Sequence, residues 1–324
     1  MKKLFLSLLL PFLLITGCTS YTELNDLGLV SLLGIDYKDN KYQIYVTIME
    51  GSQDDGMLEK NQKYFYSEAN SLEEAFQKIT LQSDKKIYLS HIDCLLVTED
   101  LINNKLKNVL MNFLSNNESR NNFNIVLIKD NLETYFDEDI TADKINKLIL
   151  INSNESGTIS EMDFELFLKN LLIDSNSTIP TISYNDNNLH VEGFTLIKDY
   201  MVYDSLSIEE SFIFNLLNNK VEHAIFKNST IYDSETIVNT NKNKVEFNIS
   251  ITTDKPNNIN NDIKTLAKSL FNYYKDKNYD LFKLKNKIKQ NDYLYYKNNR
   301  NLLESIEFSI KINTRLKNNY IEED

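Results

Sequence analysis

Residues 92–128 read IDCLLVTEDLINNKLKNVLMNFLSNNESRNNFNIVLI. Ile92 to Thr98 is a largely apolar run of strand length. Leu101 to Leu114 then places Ile102, Leu106, Val109, Leu110 and Phe113 on one helical face, and Phe123 to Ile128 is a second apolar run. A buried-type strand, an amphipathic helix and another strand predict an α/β unit with parallel pairing, since a helical crossover lets two strands run the same way.

Upstream, Leu27 to Ile35 and the alternating Tyr42 to Met49 flank Asp36-Tyr-Lys-Asp-Asn40, whose residue types predict a hairpin turn. Lys63 to Glu68 is a further strand. Ser71, followed three residues later by Glu74, has the spacing of a capping box, with Leu72, Ala75, Phe76 and Ile79 on one helical face. Downstream, Thr141 caps a helix to Ile151, and Ser160 with Asp163 caps another to Leu172. Polar Asp174 to Thr178 leads to Pro180, so composition places a domain boundary near 174 to 190.

Past that point hairpins dominate. Thr181 to Tyr184 and Leu189 to Ile197 flank Asn185-Asp-Asn-Asn188, and Met201 to Tyr203 continues the sheet. Ser207 with Glu210 caps a helix bearing Ile208, Phe212, Leu216 and Leu217. Strands are predicted at Val221 to Phe226, Thr230 to Tyr232, Thr236 to Asn239 and Val245 to Thr252. A long helix follows from about Asn261 to Asp276, then shorter helical pieces over Leu281 to Lys297. Ile306, Phe308, Ile310 and Ile312 alternate with polar residues in a final strand buried on one face. The expected class is α+β, with a leader at 1–17, an N-terminal domain at 18–185 (dividing further near 140 as an option) and a C-terminal domain at 186–324.

The leader has its own pattern. Lys2 and Lys3 precede an apolar run of about a dozen residues, Leu4 to Ile15, short of the roughly 20 that span a bilayer. Ile15-Thr16-Gly17-Cys18 resembles the lipobox of bacterial lipoproteins, in which the cysteine sulfur receives a diacylglyceryl group and the chain is cut before it. A thiolate is the side-chain nucleophile suited to forming that thioether. The competing reading is an ordinary export signal with a chance cysteine. Two acyl chains on Cys18 would anchor the protein firmly.

The formal charge of the chain is −12, and loss of Lys2 and Lys3 leaves 33 basic residues against 47 acidic ones, a balance of −14. That argues against nucleic acid and against a basic patch on anionic lipid. With Cys18 lipidated, Cys94 has no disulfide partner, and its place in an apolar strand predicts a buried, inert thiol. His91, His190 and His223 fall in no metal-ligand spacing, and neither a nucleophile elbow nor a phosphate loop is present. The pairs Glu73-Glu74, Glu209-Glu210 and Asp54-Asp55 suggest glycosidase carboxylates only superficially. Charge at helix N-termini or in a solvated loop explains each better. Tyr293-Leu-Tyr-Tyr296 fits a half-buried helix face better than a sugar or partner platform.

Four segments carry a resemblance. Glu23-Leu24-Asn-Asp-Leu27 with Leu33-Gly34-Ile35-Asp36 and Val46-Thr47 is similar to the opening of the Ger(x)C family, the C subunits of nutrient germinant receptors in spore-forming bacteria. Tyr88-Leu89-Ser90-His91-Ile92 followed by Leu95-Leu96-Val97 resembles that family's strand with its histidine. Gly193-Phe194-Thr-Leu-Ile-Lys198 leading to Leu206-Ser-Ile-Glu-Glu210 resembles the start of its C-terminal region. Asp280-Leu281-Phe282 is similar to the turn after its long helix. The family often has Trp-Asp where this chain has Thr19-Ser20, and its C-terminal tryptophan and the glycine after the Asp turn are missing here.

The resemblance implies a mixed α and β fold and a non-enzymatic subunit, with no cofactor beyond the covalent lipid on Cys18. It implies a place on the outer face of the spore inner membrane, held there by the lipid, beside A-type and B-type membrane subunits. On the same basis Gly34 and Asp36 are turn residues, and His91 is either a core or an interface histidine. Gly193 opens the C-terminal region and Asp280 its late turn, while Glu209 and Glu210 form a helix N-terminus, with partner contact as the second option. The rival functions are a substrate-binding lipoprotein of a transporter and, third, an exported lipid-anchored hydrolase.

Overall fold

The computed structural model of the protein describes residues 27–54, 57–83, 85–115, 121–299 and 301–317. The chain opens with β1 (Leu27–Lys38), β2 (Lys41–Asp54) and β3 (Met57–Ala69), then α1 (Leu72–Gln82), β4 (Lys86–Tyr88) and β5 (Cys94–Val97). Next come α2 (Glu99–Ser115), β6 (Asn124–Ile128), α3 (Leu132–Asp137), α4 (Ala142–Glu155) and α5 (Phe164–Asp174). Three strands follow, β7 (Asn176–Asn185), β8 (Asn188–Lys198) and β9 (Met201–Leu206), and then α6 (Ile208–Leu217). The remainder is β10 (Ala224–Phe226), β11 (Ser229–Asn241), β12 (Lys244–Thr253), α7 (Pro256–Asp276), α8 (Leu284–Asn291), α9 (Tyr293–Asn298), α10 (Leu302–Ser305) and β13 (Glu307–Leu316).

The unit predicted from residues 92–128 lies at the centre of the larger sheet, whose order is β3-β2-β1-β5-β6-β7-β8-β9, with β4 beside the start of β1. Cys94–Val97 pair in parallel with Leu32–Ile35 on one side and Asn124–Leu127 on the other. Antiparallel hairpins extend both flanks. Side chains along the central strands alternate between two cores. Leu95 and Val97 face Val109, Phe113 and Phe167, under α1, α2 and α5. Cys94 and Leu96 face the core that also holds Phe136, Ile145, Phe194 and Phe247, formed with α3, α4, α6 and the second sheet. Burial on both faces is why these strands are continuously apolar and do not alternate.

The second sheet runs β10-β11-β12-β13. The segment α7 to α10 carries the chain back so that β13 lies parallel to β12 along its whole length. Its Ile310 and Ile312 are buried, as the alternation predicted.

Several local expectations need correction. The first hairpin reverses at Asp39-Asn40, with φ of 52° and 63°, the left-handed pair of a type I′ turn; Asp36 therefore stays inside β1. The helix cap near 160 is Asp163, which accepts from the Leu166 amide at 2.7 Å. The two strand segments at 230–239 form one strand, β11, with a register shift between Ile231 and Asp233. The long helix begins at Pro256, where a missing N–H costs nothing. The compositional break at 174–190 marks a change from parallel to antiparallel pairing. Residues 185 and 186 lie at the tip of the β7–β8 hairpin, whose two strands are neighbours in one sheet, and the chain enters the second sheet only after α6.

Gly34 is a strand residue as well, not a turn residue. A Cβ there would stand 2.8 Å from Leu132 Cδ1 and 2.8 Å from Phe136 Cε2, so its role is to let α3 lie directly on β1. Gly34→Val should overpack this contact and cost about 1–3 kcal/mol, read as a lower urea midpoint. An unchanged midpoint would contradict the close approach.

Candidate functional site

Asp36, one strand turn from Gly34, accepts from the Tyr37 amide at 2.7 Å and from the Thr98 hydroxyl. Thr98 Oγ1 in turn accepts from the Leu101 amide at 3.2 Å. The carboxylate thus ties β1 to the first turn of α2. His91 closes a short 3-10 turn, Leu89–His91, and its ring lies 6.1 Å from that of Tyr88. It is exposed, which removes the core option and leaves it available at the surface.

Gly193 and the start of α6, far apart in sequence, meet in space. Gly193 has φ +101°, and a Cβ there would stand 2.5 Å from Ser211 Oγ and 2.6 Å from the Leu206 carbonyl. Only glycine suits both the backbone and the space. The Ser211 hydroxyl accepts from the Phe194 amide at 3.1 Å, locking α6 onto β8. The predicted capping box is complete: Ser207 Oγ accepts from the Glu210 amide at 3.4 Å and the Glu210 carboxylate accepts from the Ser207 amide at 2.8 Å. Glu209 is exposed beside it.

Asp280 lies in the turn before α8 and is only 6% exposed. Its carboxylate accepts from the Leu284 amide at 2.8 Å and the Lys285 amide at 2.9 Å. Burial raises its pKa, and these two bonds oppose the rise. Next to it, Lys283 donates to Asn170 Oδ1, and Asn286 Nδ2 donates to Asp174 Oδ2 at 2.7 Å. A cavity of about 160 Å³ lies between these groups. The network fastens α8 to α5.

The carried-over residues therefore occupy separate places and do not converge on one centre. Cys18 lies outside the described residues. Cys94 is fully buried, and burial pushes its thiol pKa up, which disfavours the thiolate. His190 contacts its own hairpin at the Asn185 carbonyl, 3.2 Å away. Glu73 accepts from Asn112 Nδ2 at 2.6 Å and Glu74 pairs with Lys78 at 3.0 Å. Asp55 of the third acidic pair lies outside the described residues. Tyr295 and Tyr296 pack on the core while Tyr293 is exposed. Among the described residues no group of three or more His, Cys, Asp or Glu side chains is placed to hold a metal. A groove of about 740 Å³ between α1 and α2 includes Tyr42, Leu72, Lys105, Asn108 and Met111, and its carboxylate is the bonded Glu73.

One surface group escaped the sequence reading. Tyr64 and Tyr66 of β3 continue an aromatic stack with Tyr45 and Phe136: the rings of Tyr64 and Phe136 are 5.7 Å apart, those of Tyr45 and Tyr66 4.8 Å, and those of Tyr45 and Phe136 5.4 Å. The period of two between Tyr64 and Tyr66 was its signal.

The Asp280 geometry is testable. Asp280→Ala strands the buried Leu284 amide and the part-buried Lys285 amide and should cost about 1–3 kcal/mol, whereas Asp280→Asn keeps an acceptor and should cost less. Because burial raises the carboxyl pKa, its protonated form stabilises the fold below the ordinary carboxylate range, and that contribution is lost as pH rises through the raised value. Asp280→Asn should remove this slope. Urea midpoints from acid to neutral pH check both points, and equal losses in the two variants would contradict the capping role.

Comparison with known proteins places these observations. Residues 20–184, just over half of the chain, match the family model described as the spore germination protein N-terminal domain. Spore germination protein KC of Bacillus subtilis (strain 168) is 26% identical over 190 residues, covering 54% of this chain and 46% of that protein. The putative spore germination protein YfkR of the same organism is 24% identical over 251 residues, covering 70% of this chain and 64% of that protein. The matches thus span less than two thirds of either relative. The crystal structure of the GerBC protein superposes with a TM-score of 0.55 at 15% identity, over 88% of this chain and 97% of that one, which shows a shared fold. With the family's domain over residues 20–184 and its fold over most of its length, the chain belongs to the Ger(x)C family of spore germination proteins.

Proposed function

We propose that this chain is the lipid-anchored, non-enzymatic C-type subunit of a nutrient germinant receptor. It sits on the outer face of the spore inner membrane and assembles there with A-type and B-type spanning subunits. The observation that carries this is an adjacency: the family domain begins at residue 20, directly after the lipobox-like Ile15-Thr16-Gly17-Cys18. A diacylglyceryl thioether on Cys18 supplies the membrane affinity. Among the described residues no helix is long and apolar enough to cross a membrane, so the proposed attachment is through the lipid. The family residues support a scaffold role, since Asp36, Glu210 and Asp280 each accept hydrogen bonds from backbone or hydroxyl donors within the fold.

Cys18→Ala should move the protein from the membrane to the soluble fraction and slow nutrient-triggered germination, while the soluble fold keeps its unfolding midpoint. Fractionation, a germination assay and mass spectrometry of the N-terminus check this. Full membrane retention with normal germination would contradict it.

A further inference from the structure

The larger sheet ends at β3, which pairs only with β2 among the described strands. One face of β3 is closed: Ser67 is buried and its hydroxyl donates to the Ala75 carbonyl of α1 at 2.9 Å. The other face is open. Tyr64 is 39% exposed and Tyr66 36% exposed, while their neighbours in the stack, Tyr45 and Phe136, are buried. The apolar face under α3 therefore runs out to the sheet margin uncovered.

On its α3 side this face is flanked by carboxylates. Residues 130–143 contain Asp130, Glu133, Asp137, Glu138, Asp139 and Asp143 and no lysine or arginine. Asp143 is paired with Lys147, and Asp130 accepts from the Tyr184 amide. Glu133 and Asp137 are exposed and hold no ion pair among the described residues. Both lie near enough to Tyr64 to push its hydroxyl pKa up, after burial. On the far side Lys41 is taken by Glu68. Negative ring faces beside two uncommitted carboxylates favour a cation, and the unpaired backbone of a terminal strand is a template for another strand.

We propose that the β3 edge, with its Tyr64–Tyr66 face and the Glu133 and Asp137 carboxylates of α3, docks an extended segment of a partner protein that presents a lysine or arginine. The segment adds to the sheet through its backbone, and its cationic side chain lies across the tyrosine rings toward the two carboxylates. This surface does not depend on the lipid at Cys18, so it can fail without the receptor reading failing.

The test uses the full chain in nonionic detergent and a labelled strand-length peptide alternating Thr and Val with Arg on one face. The same peptide with Glu for Arg serves as the control. Anisotropy titrations should show binding of the Arg peptide only. Tyr64→Ala with Tyr66→Ala should weaken it about tenfold, while Tyr64→Phe with Tyr66→Phe should bind as the parent does. Glu133→Gln with Asp137→Asn should weaken it and flatten its salt dependence. Urea midpoints confirm that each variant folds. Equal binding of the two peptides, or binding indifferent to both the alanine and the carboxylate variants, would overturn the proposal. So would sedimentation showing that two copies of this chain pair through the same edge and exclude the peptide.

Discussion

The fold depends on a sheet whose middle strands are buried on both faces. Cys94, Leu95, Leu96 and Val97 have no exposed surface, and successive side chains serve opposite cores. Removing a side chain such as Leu96 would cost about 2–5 kcal/mol, because nothing on either side can collapse freely into the space. Two layers must therefore be present at once. Helices α1, α2 and α5 form one; α3, α4, α6 and the second sheet form the other. The requirement explains why a stretch with only five strand residues, β6, is so apolar, and why Gly34 has to yield room to α3.

Much of this was legible in local sequence. Period-two alternation gave β2 and β13, helical stripes gave α1, α2 and α7, and cap residues gave the starts of α1, α4 and α6. What escaped depends on contacts distant in sequence. The parallel partner of β13 is set by a return path through four helices, which no window around residue 310 contains. Helix α3 is six residues long, too short for periodicity to register. Gly34 looked like a turn residue because glycine tolerates positive φ, whereas its use here is the absence of a Cβ. Pro180 lies within the compositional break at 174 to 190 and inside β7, just before Thr181, the first residue paired with β6; the family's N-terminal domain match ends close by, at residue 184.

The candidate site residues show the same division. Glu210 and Ser207 were readable as a capping box, but nothing local told that Gly193 would accept that helix on its back. Asp280 was recognisable as a turn residue, and its burial and its tie to α5 through Asn286 and Lys283 came only with the fold. Tyr64 and Tyr66 would have looked like ordinary strand residues without the knowledge that β3 ends the sheet. A picture follows of an acidic chain in which Asp36, Gly193, Glu210 and Asp280 help build the frame.

The most direct measurement is purification of the tagged chain from detergent-solubilised spore inner membranes, followed by intact-mass spectrometry of everything that elutes with it. The account predicts two multi-spanning proteins in fixed ratio to a chain that begins at residue 18 and carries the mass of a diacylglyceryl group. A chain that elutes alone with an unmodified N-terminus would contradict it.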